Sequence, residues 1–330
     1  MTQVLVLGGT GWLSGRIAQR WRDAGARVTC LARGGRPAPE GTVLLPGDRD
    51  DPAVYDRLSE QHWDEIVDIS SRARHVREAV AALGASTAHW TYVSSMSAYS
   101  DDTTVGLDEA GALHEPAQEG DEYEYGAEKV AAERAVAVLG ERAFIVRPGL
   151  IVGEGDPSDR FGYWAAAFDR AGNRPVLVPT LADRYTQVID VDDVAVLLVG
   201  GSRHGIVNAI GDALPLVDVL SRIRSATGHT GELLEASDKW LREHGVDYWM
   251  GERSLPLWLP ADMPGFARRD NAAYKASGGR LTPIDDTIRR VLQDERVRGV
   301  DRERRAGLTR TEEQELIDQL VRADADPADA

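Results

Sequence analysis

Val4-Leu5-Val6-Leu7-Gly8-Gly9-Thr10-Gly11-Trp12-Leu13-Ser14-Gly15 joins a compact apolar run, a glycine turn and the head of an amphipathic stretch that reaches Ala24. An apolar run of that length followed by glycine and then by 3.6-residue periodicity predicts strand, tight turn and helix. Gly25 ends the helix, and Val28 to Leu31 reads as the second strand. Further outward, Val43-Leu44-Leu45, Ile66-Val67, Trp90 to Val93 and Ala143 to Val146 supply more strands. Helical patterns lie between them, at Ala53 to Glu60, His75 to Leu83 and Glu124 to Leu139. Strands alternating with helices require crossover connections, which give a parallel sheet covered on both faces. The predicted fold is α/β, a doubly wound parallel sheet of the Rossmann type over residues 1–150, with returning segments at about 184–212. A smaller C-terminal substrate-binding cap is expected from 151–183 and 213–330, where short apolar runs give way to helical periodicity beyond Leu216.

The 330 residues carry 38 Lys+Arg against 54 Asp+Glu, a formal net charge of −16. That balance disfavours a nucleic-acid partner, because phosphate backbones are bound by an excess of Lys and Arg. A hydrophobic share of 42% suits a globular chain with a substantial core. No apolar stretch approaches membrane-spanning length, and the first residues lack the charged-then-apolar layout of a signal peptide. A soluble, cytoplasmic protein without a membrane partner is expected. The single cysteine, Cys30, lies in an apolar run and is expected to be a buried core thiol in a reducing compartment. The seven histidines show no metal-ligand spacing, so no metal site is expected. Asp324, Asp326, Pro327 and Asp329 read as a frayed acidic tail.

The turn from Gly8 to Leu13 sits where a dinucleotide's pyrophosphate needs residues without a Cβ and the N–H groups of a helix start. A third glycine would fall at position 14, which holds Ser14, small enough for close helix–strand packing. The end of the second strand distinguishes NAD from NADP. An acid there would accept bonds from the ribose 2′-hydroxyl, but Ala32 occupies the position, with Arg33 next and Arg36 nearby. A guanidinium can hold a 2′-phosphate that a carboxylate would repel, which favours NADP, with NAD as the alternative. Asp48, after the third strand, is either a partner for the adenine amino group or a solvated turn residue.

Tyr125-Gly126-Ala127-Glu128-Lys129 stacks a phenol and an ammonium on one helix face. The ammonium favours phenolate and so draws Tyr125 toward acid–base duty. Ser94-Ser95-Met96-Ser97-Ala98-Tyr99 follows the strand Trp90 to Val93, which places hydroxyls at the carboxyl edge of the sheet, where open α/β folds bind ligands.

Glycine turn, serine edge and Y-x-x-x-K helix in this order resemble the extended, or atypical extended, short-chain dehydrogenases/reductases, the NAD(P)-dependent epimerase/dehydratase group. The resemblance covers about the first two hundred residues. It implies that Ser95, with Tyr99 four residues on, is catalytic together with Tyr125 and Lys129. Arg147-Pro148-Gly149-Leu150-Ile151-Val152-Gly153 and Gln187-Val188-Ile189-Asp190-Val191-Asp192-Asp193-Val194-Ala195 resemble two later family segments. The expected cofactor contacts are Gly8, Thr10, Gly11, Trp12, Leu13, Arg33, Asp48, Ser70, Lys129, Pro148 and Ile151. The expected activity is NADP(H)-dependent hydride transfer on a small carbonyl or secondary alcohol. A sugar-nucleotide epimerase or dehydratase holding NAD, and a non-catalytic dinucleotide sensor, are the alternatives. A homodimer is also considered. Trp240, Trp249 and Trp258 belong either to an aromatic pocket or, as aromatic area generally does, to packing.

Overall fold

The computed structural model describes residues 1–200 and 203–325. The chain divides into two compact units, one of Met1–Ile151, Val188–Asp212 and Arg269–Leu281, the other of Val152–Gln187, Ala213–Arg268 and Thr282–Ala330. Asp326, Pro327 and Asp329 lie outside the described residues, and Asp324 falls within the backbone of the last helix, Arg310–Ala325.

The first unit is built on a seven-stranded sheet. Its strands are β1 (Gln3–Leu7), β2 (Arg27–Ala32), β3 (Val43–Pro46), β4 (Glu65–Asp68), β5 (Trp90–Val93), β6 (Ala143–Pro148) and an edge strand, Gly205–Ala209. They lie in the order edge strand, β6, β5, β4, β1, β2, β3, and every pairing is parallel. In β1 the alternation is visible: Val4 and Val6 join one hydrophobic cluster, Leu5 and Leu7 the other. Two clusters are what a sheet covered on both faces must have. The helices α1 (Trp12–Asp23), α2 (Asp56–Ser59), α3 (Ala73–Leu83) and α4 (Tyr125–Ala137) supply the crossovers. Strand order reverses between β1 and β4, so the crevice that receives ligands in such folds opens at their carboxyl ends.

The phosphate-type turn differs from expectation in how its small residues are used. Ser14 is fully buried, and besides packing its hydroxyl donates to the Gly8 carbonyl (2.7 Å) and accepts from the Gly11 N–H (3.0 Å). Close approach to β2 falls to Gly9, where a Cβ would stand 2.6 Å from Cβ and Sγ of Cys30. Cys30 is fully buried there.

Arg269–Leu281 belongs to this unit too, although its sequence position places it among the cap residues. The reason is a set of side-chain bonds. Asn271 Nδ2 donates to the carbonyls of Ile210 and Gly211, and Tyr274 packs fully buried in the cluster that holds Val207 and Ala209.

The second unit contains two parallel strand pairs, Val176–Pro179 with Leu233–Ala236 and Asp247–Trp249 with Ser254–Pro256. Helices Arg160–Ala171, Leu216–Thr227, Ile284–Arg298 and Arg310–Ala325 accompany them. Trp258 is fully buried and donates to Asp238, whereas Trp240 stacks on His244 and Trp249 meets Phe266 edge-on. These three tryptophans share no ring contact with one another, although the Trp249 N–H donates to the Trp258 carbonyl (3.0 Å).

Candidate active site

A cavity of about 1230 Å³ opens at the carboxyl edge of the first unit's sheet. One end is the glycine turn, with Gly8 at φ +90°, a value that favours glycine. Beside it lie Ala32, Arg33 and Arg36 after β2, then Gly47 to Asp50 after β3. Ser70 to His75 after β4 and the segment Ala117 to Asp121 complete the walls. Among the described residues neither Arg33 nor Arg36 has a carboxylate partner, and both are exposed. Asp48 is exposed as well and spends one oxygen on the Asp50 N–H (3.1 Å). A glycine cradle, a helix N-terminus and two guanidiniums in a cavity of this size fit the adenosine diphosphate part of a dinucleotide.

The serine edge and the Tyr/Lys helix adjoin this cavity. Ser95 is half-buried, and its hydroxyl accepts from the Ser97 N–H (3.1 Å), which fixes the one-turn helix Met96–Ala98. Ser94 is buried and donates to Glu133 Oε1 (2.5 Å). Tyr99 is buried. Its hydroxyl donates to Asn208 Oδ1 (2.7 Å) and accepts from Arg147 Nη1 (2.7 Å). Tyr125 is the first residue of α4 and is 39% exposed, a position from which a phenol can meet a ligand. Lys129, one turn on, is 2% exposed. Its Nζ donates to the carbonyls of Ser70 (2.9 Å) and Val93 (2.8 Å) and lies 5.8 Å from the centre of the Tyr125 ring. Burial pushes this ammonium down to about 7, against the pull of Asp68 and Glu133.

Gly126 sets how closely α4 approaches the serine edge. A Cβ there would stand 2.3 Å from the Ser97 carbonyl oxygen and 2.8 Å from the His114 ring. Glu124 caps the helix by accepting from the Gly126 (3.1 Å) and Ala127 (2.5 Å) N–H groups, bonds that hold its carboxyl below the usual range.

Of the residues singled out in the sequence, Gly8, Thr10, Gly11, Arg33, Asp48 and Ser70 share the cavity wall. Trp12, Leu13, Ser95, Tyr125, Lys129, Pro148 and Ile151 are not among its lining residues. Lys129 is tied to the wall through the Ser70 carbonyl, and Pro148 is buried at the end of β6. The sequence reading passed over Arg72, Arg74 and Arg77, which also line the cavity. Their alternation in Ser70-Ser71-Arg72-Ala73-Arg74-His75-Val76-Arg77, directly after a strand, was the available signal. Asp68 and Glu133 were missed as well, for they look like ordinary polar positions until the fold buries them.

Residues 4–205 match the NAD dependent epimerase/dehydratase family. No curated protein matches the chain. Among solved structures, a candidate epimerase from Burkholderia cenocepacia aligns with a TM-score of 0.70 at 22% identity, covering 90% of this chain and 98% of that one. UDP-N-acetylglucosamine 4-epimerase from Bacillus cereus aligns at 0.66 and 15% identity, covering 92% and 99%. The Bordetella bronchiseptica enzyme WbmG, solved with NAD, aligns at 0.67 and 14%, covering 90% and 95%. At these identities the likeness speaks for the fold.

Proposed function

The chain belongs to the NAD dependent epimerase/dehydratase family, and from that premise we propose that it is an NADP(H)-dependent oxidoreductase acting on a carbonyl or secondary alcohol. The observation that carries the cofactor choice is Ala32-Arg33 at the cavity wall: β2 ends on Ala32 and not on an acid, and the next residue brings a guanidinium that has no carboxylate partner among the described residues. A bound nicotinamide supplies or accepts the hydride. In the reducing direction Tyr125 gives its hydroxyl proton to the carbonyl oxygen as negative charge develops there, and Ser95 donates a hydrogen bond to the same oxygen. Lys129 favours the phenolate that remains, and the direction reverses for an alcohol. Gly8, Thr10 and Gly11, with the start of α1 at Trp12 and Leu13, bind the diphosphate. Arg33 holds the 2′-phosphate, Asp48 faces the adenine, and Ser70, Pro148 and Ile151 border the rest.

Titration of the purified protein with NADPH and NADH, followed by fluorescence, tests the cofactor choice. A charge-assisted contact is worth about 1.5–3 kcal/mol, so Arg33→Ala is expected to weaken NADPH by roughly 10- to 150-fold and leave NADH nearly unchanged. Tighter binding of NADH than NADPH by the unmodified protein overturns the proposal. It would favour the second reading, a sugar-nucleotide epimerase or dehydratase that retains NAD, which the family and the names of the aligned structures support. In that case NAD should also co-purify with the protein.

A further inference from the structure

Lys129 is buried, yet among the described residues no carboxylate bonds to it; its ammonium rests on two backbone carbonyls, of Ser70 and Val93. Two carboxylates act on it from a greater distance. Asp68 ends β4 and is fully buried, and Glu133 lies one turn beyond Lys129 on α4, 4% exposed. Each is gripped by its own arginine in the same way. Arg49 Nη1 and Nη2 reach the two oxygens of Asp68 at 2.8 Å each. Arg147 Nε and Nη2 reach the two oxygens of Glu133 at 2.9 and 2.6 Å. Bidentate pairing fixes both the position and the plane of a carboxylate. It also keeps both carboxylates from swinging over to form a direct salt bridge with Lys129, which would occupy the N–H that a ligand or Tyr125 requires.

We propose that Asp68 and Glu133, each locked by its own arginine, are positioning residues that keep Lys129 charged at a distance while leaving one of its N–H bonds available to the site. Each ion pair is neutral as a whole, but its negative end is the one that acts on Lys129. The other groups around the ammonium are Tyr92 on β5, whose ring centre lies 4.8 Å away, and Tyr125 on α4. Burial opposes the charge and the two carboxylates support it. Removing either one therefore lowers the pH at which the proton is lost. The use of that charge in catalysis rests on the oxidoreductase reading, whereas the charge itself does not.

The chain contains three lysines, Lys129, Lys239 and Lys275, so side-chain NMR of protein labelled with [ε-13C]lysine gives a spectrum that can be followed residue by residue. Loss of one signal in Lys129→Met assigns it, and its titration midpoint is then read without cofactor or substrate. We expect Glu133→Gln to lower the midpoint by about one pH unit and Asp68→Asn by somewhat more, the size expected of a nearby opposite charge. Glu133→Asp, which keeps the charge, should restore most of the original value. A single change leaves a buried arginine uncompensated, so Glu133→Gln combined with Arg147→Met provides a variant with no orphaned charge, and its midpoint should fall as well. Midpoints within about 0.2 units of the unmodified protein in Asp68→Asn and in the double variant overturn the proposal. If the midpoints move as expected while Tyr125→Phe leaves turnover intact, the proposal stands and the reaction assignment fails. The reverse pattern separates them the other way.

Discussion

Both units bury arginine–carboxylate clusters, and the two clusters are built differently. In the first unit each carboxylate takes one arginine, and the arginines are satisfied by further bonds. Arg49 also donates to the Tyr55 hydroxyl and the His75 carbonyl, and Arg147 to the Tyr99 hydroxyl and the Glu109 carbonyl. In the second unit Glu295 alone receives Arg298 (3.4 Å), Arg302 (2.8 Å) and Arg304 (2.6 Å). Arg298 and Arg302 reach Asp159 too, and Nε of Arg302 and of Arg304 is buried without a partner. One arrangement is stoichiometric and borders a buried lysine at the carboxyl edge of a sheet. The other gathers three arginines on a shared set of carboxylates, Glu295, Asp159 and Asp294, and staples the helix Ile284–Arg298 and the segment after it to the start of Arg160–Ala171. Burial of charge is thus not itself a mark of function; what the cluster faces decides.

That contrast predicts which kind of damage each unit suffers. The largest effect belongs to Tyr125→Phe, which removes a hydroxyl from an exposed helix start. In the proposed reaction, steady-state NADPH oxidation over a panel of carbonyl compounds should fall by about 10²–10⁴-fold with unchanged thermal stability. Near-unmodified turnover would remove Tyr125 from the chemistry. Glu295→Ala comes next and should act in the opposite manner. Three guanidiniums lose the carboxylate they share, so urea denaturation should show a loss of about 3–5 kcal/mol, while the folded fraction binds NADPH with unaltered affinity. A change in NADPH affinity without a loss of stability would erase the distinction between the clusters. The smallest effect is expected of Gly126→Ala. Its Cβ would press on the Ser97 carbonyl, costing about 1–3 kcal/mol and pushing Tyr125 off the serine edge. Turnover should therefore drop further than NADPH affinity, and an equal loss of both would argue that the close approach serves packing alone.

The strand–turn–helix opening and the strands after it were legible in the sequence because apolar runs of strand length alternate with helical periodicity. Motif order then singled out Ser95, Tyr125 and Lys129 as candidates. Periodicity does not reveal which positions a buried network recruits. Glu133 sits within an Ala- and Val-rich helix stretch and gives no sign that it will meet Ser94 and Arg147, which lie 39 and 14 residues away in the chain. Part of the role of Ser14 was likewise hidden, since a small residue at a glycine position reads as packing alone, whereas its hydroxyl also closes the turn. The return of Arg269–Leu281 to the first unit depends on the Asn271 side chain reaching the carbonyls of Ile210 and Gly211, about 60 residues earlier, which no local pattern encodes.

Adjacent residues of α4 hold the same loop from two sides. Glu128 Oε2 accepts the Ala73 N–H (2.5 Å) at the start of α3, and Lys129 Nζ holds the Ser70 carbonyl (2.9 Å) at the end of the β4 connection. Ser70 to Ala73 also form part of the cavity wall. That stretch of wall is coil by conformation but is fastened like a helix. In hydrogen exchange the Ala73 amide should exchange together with α4, its acceptor's element, at a rate set by partial opening of that helix and not by loop fraying. On this side the cavity wall is tied through side-chain bonds to the helix that begins with Tyr125, so a ligand that tightens the wall should also quiet the first turn of α4.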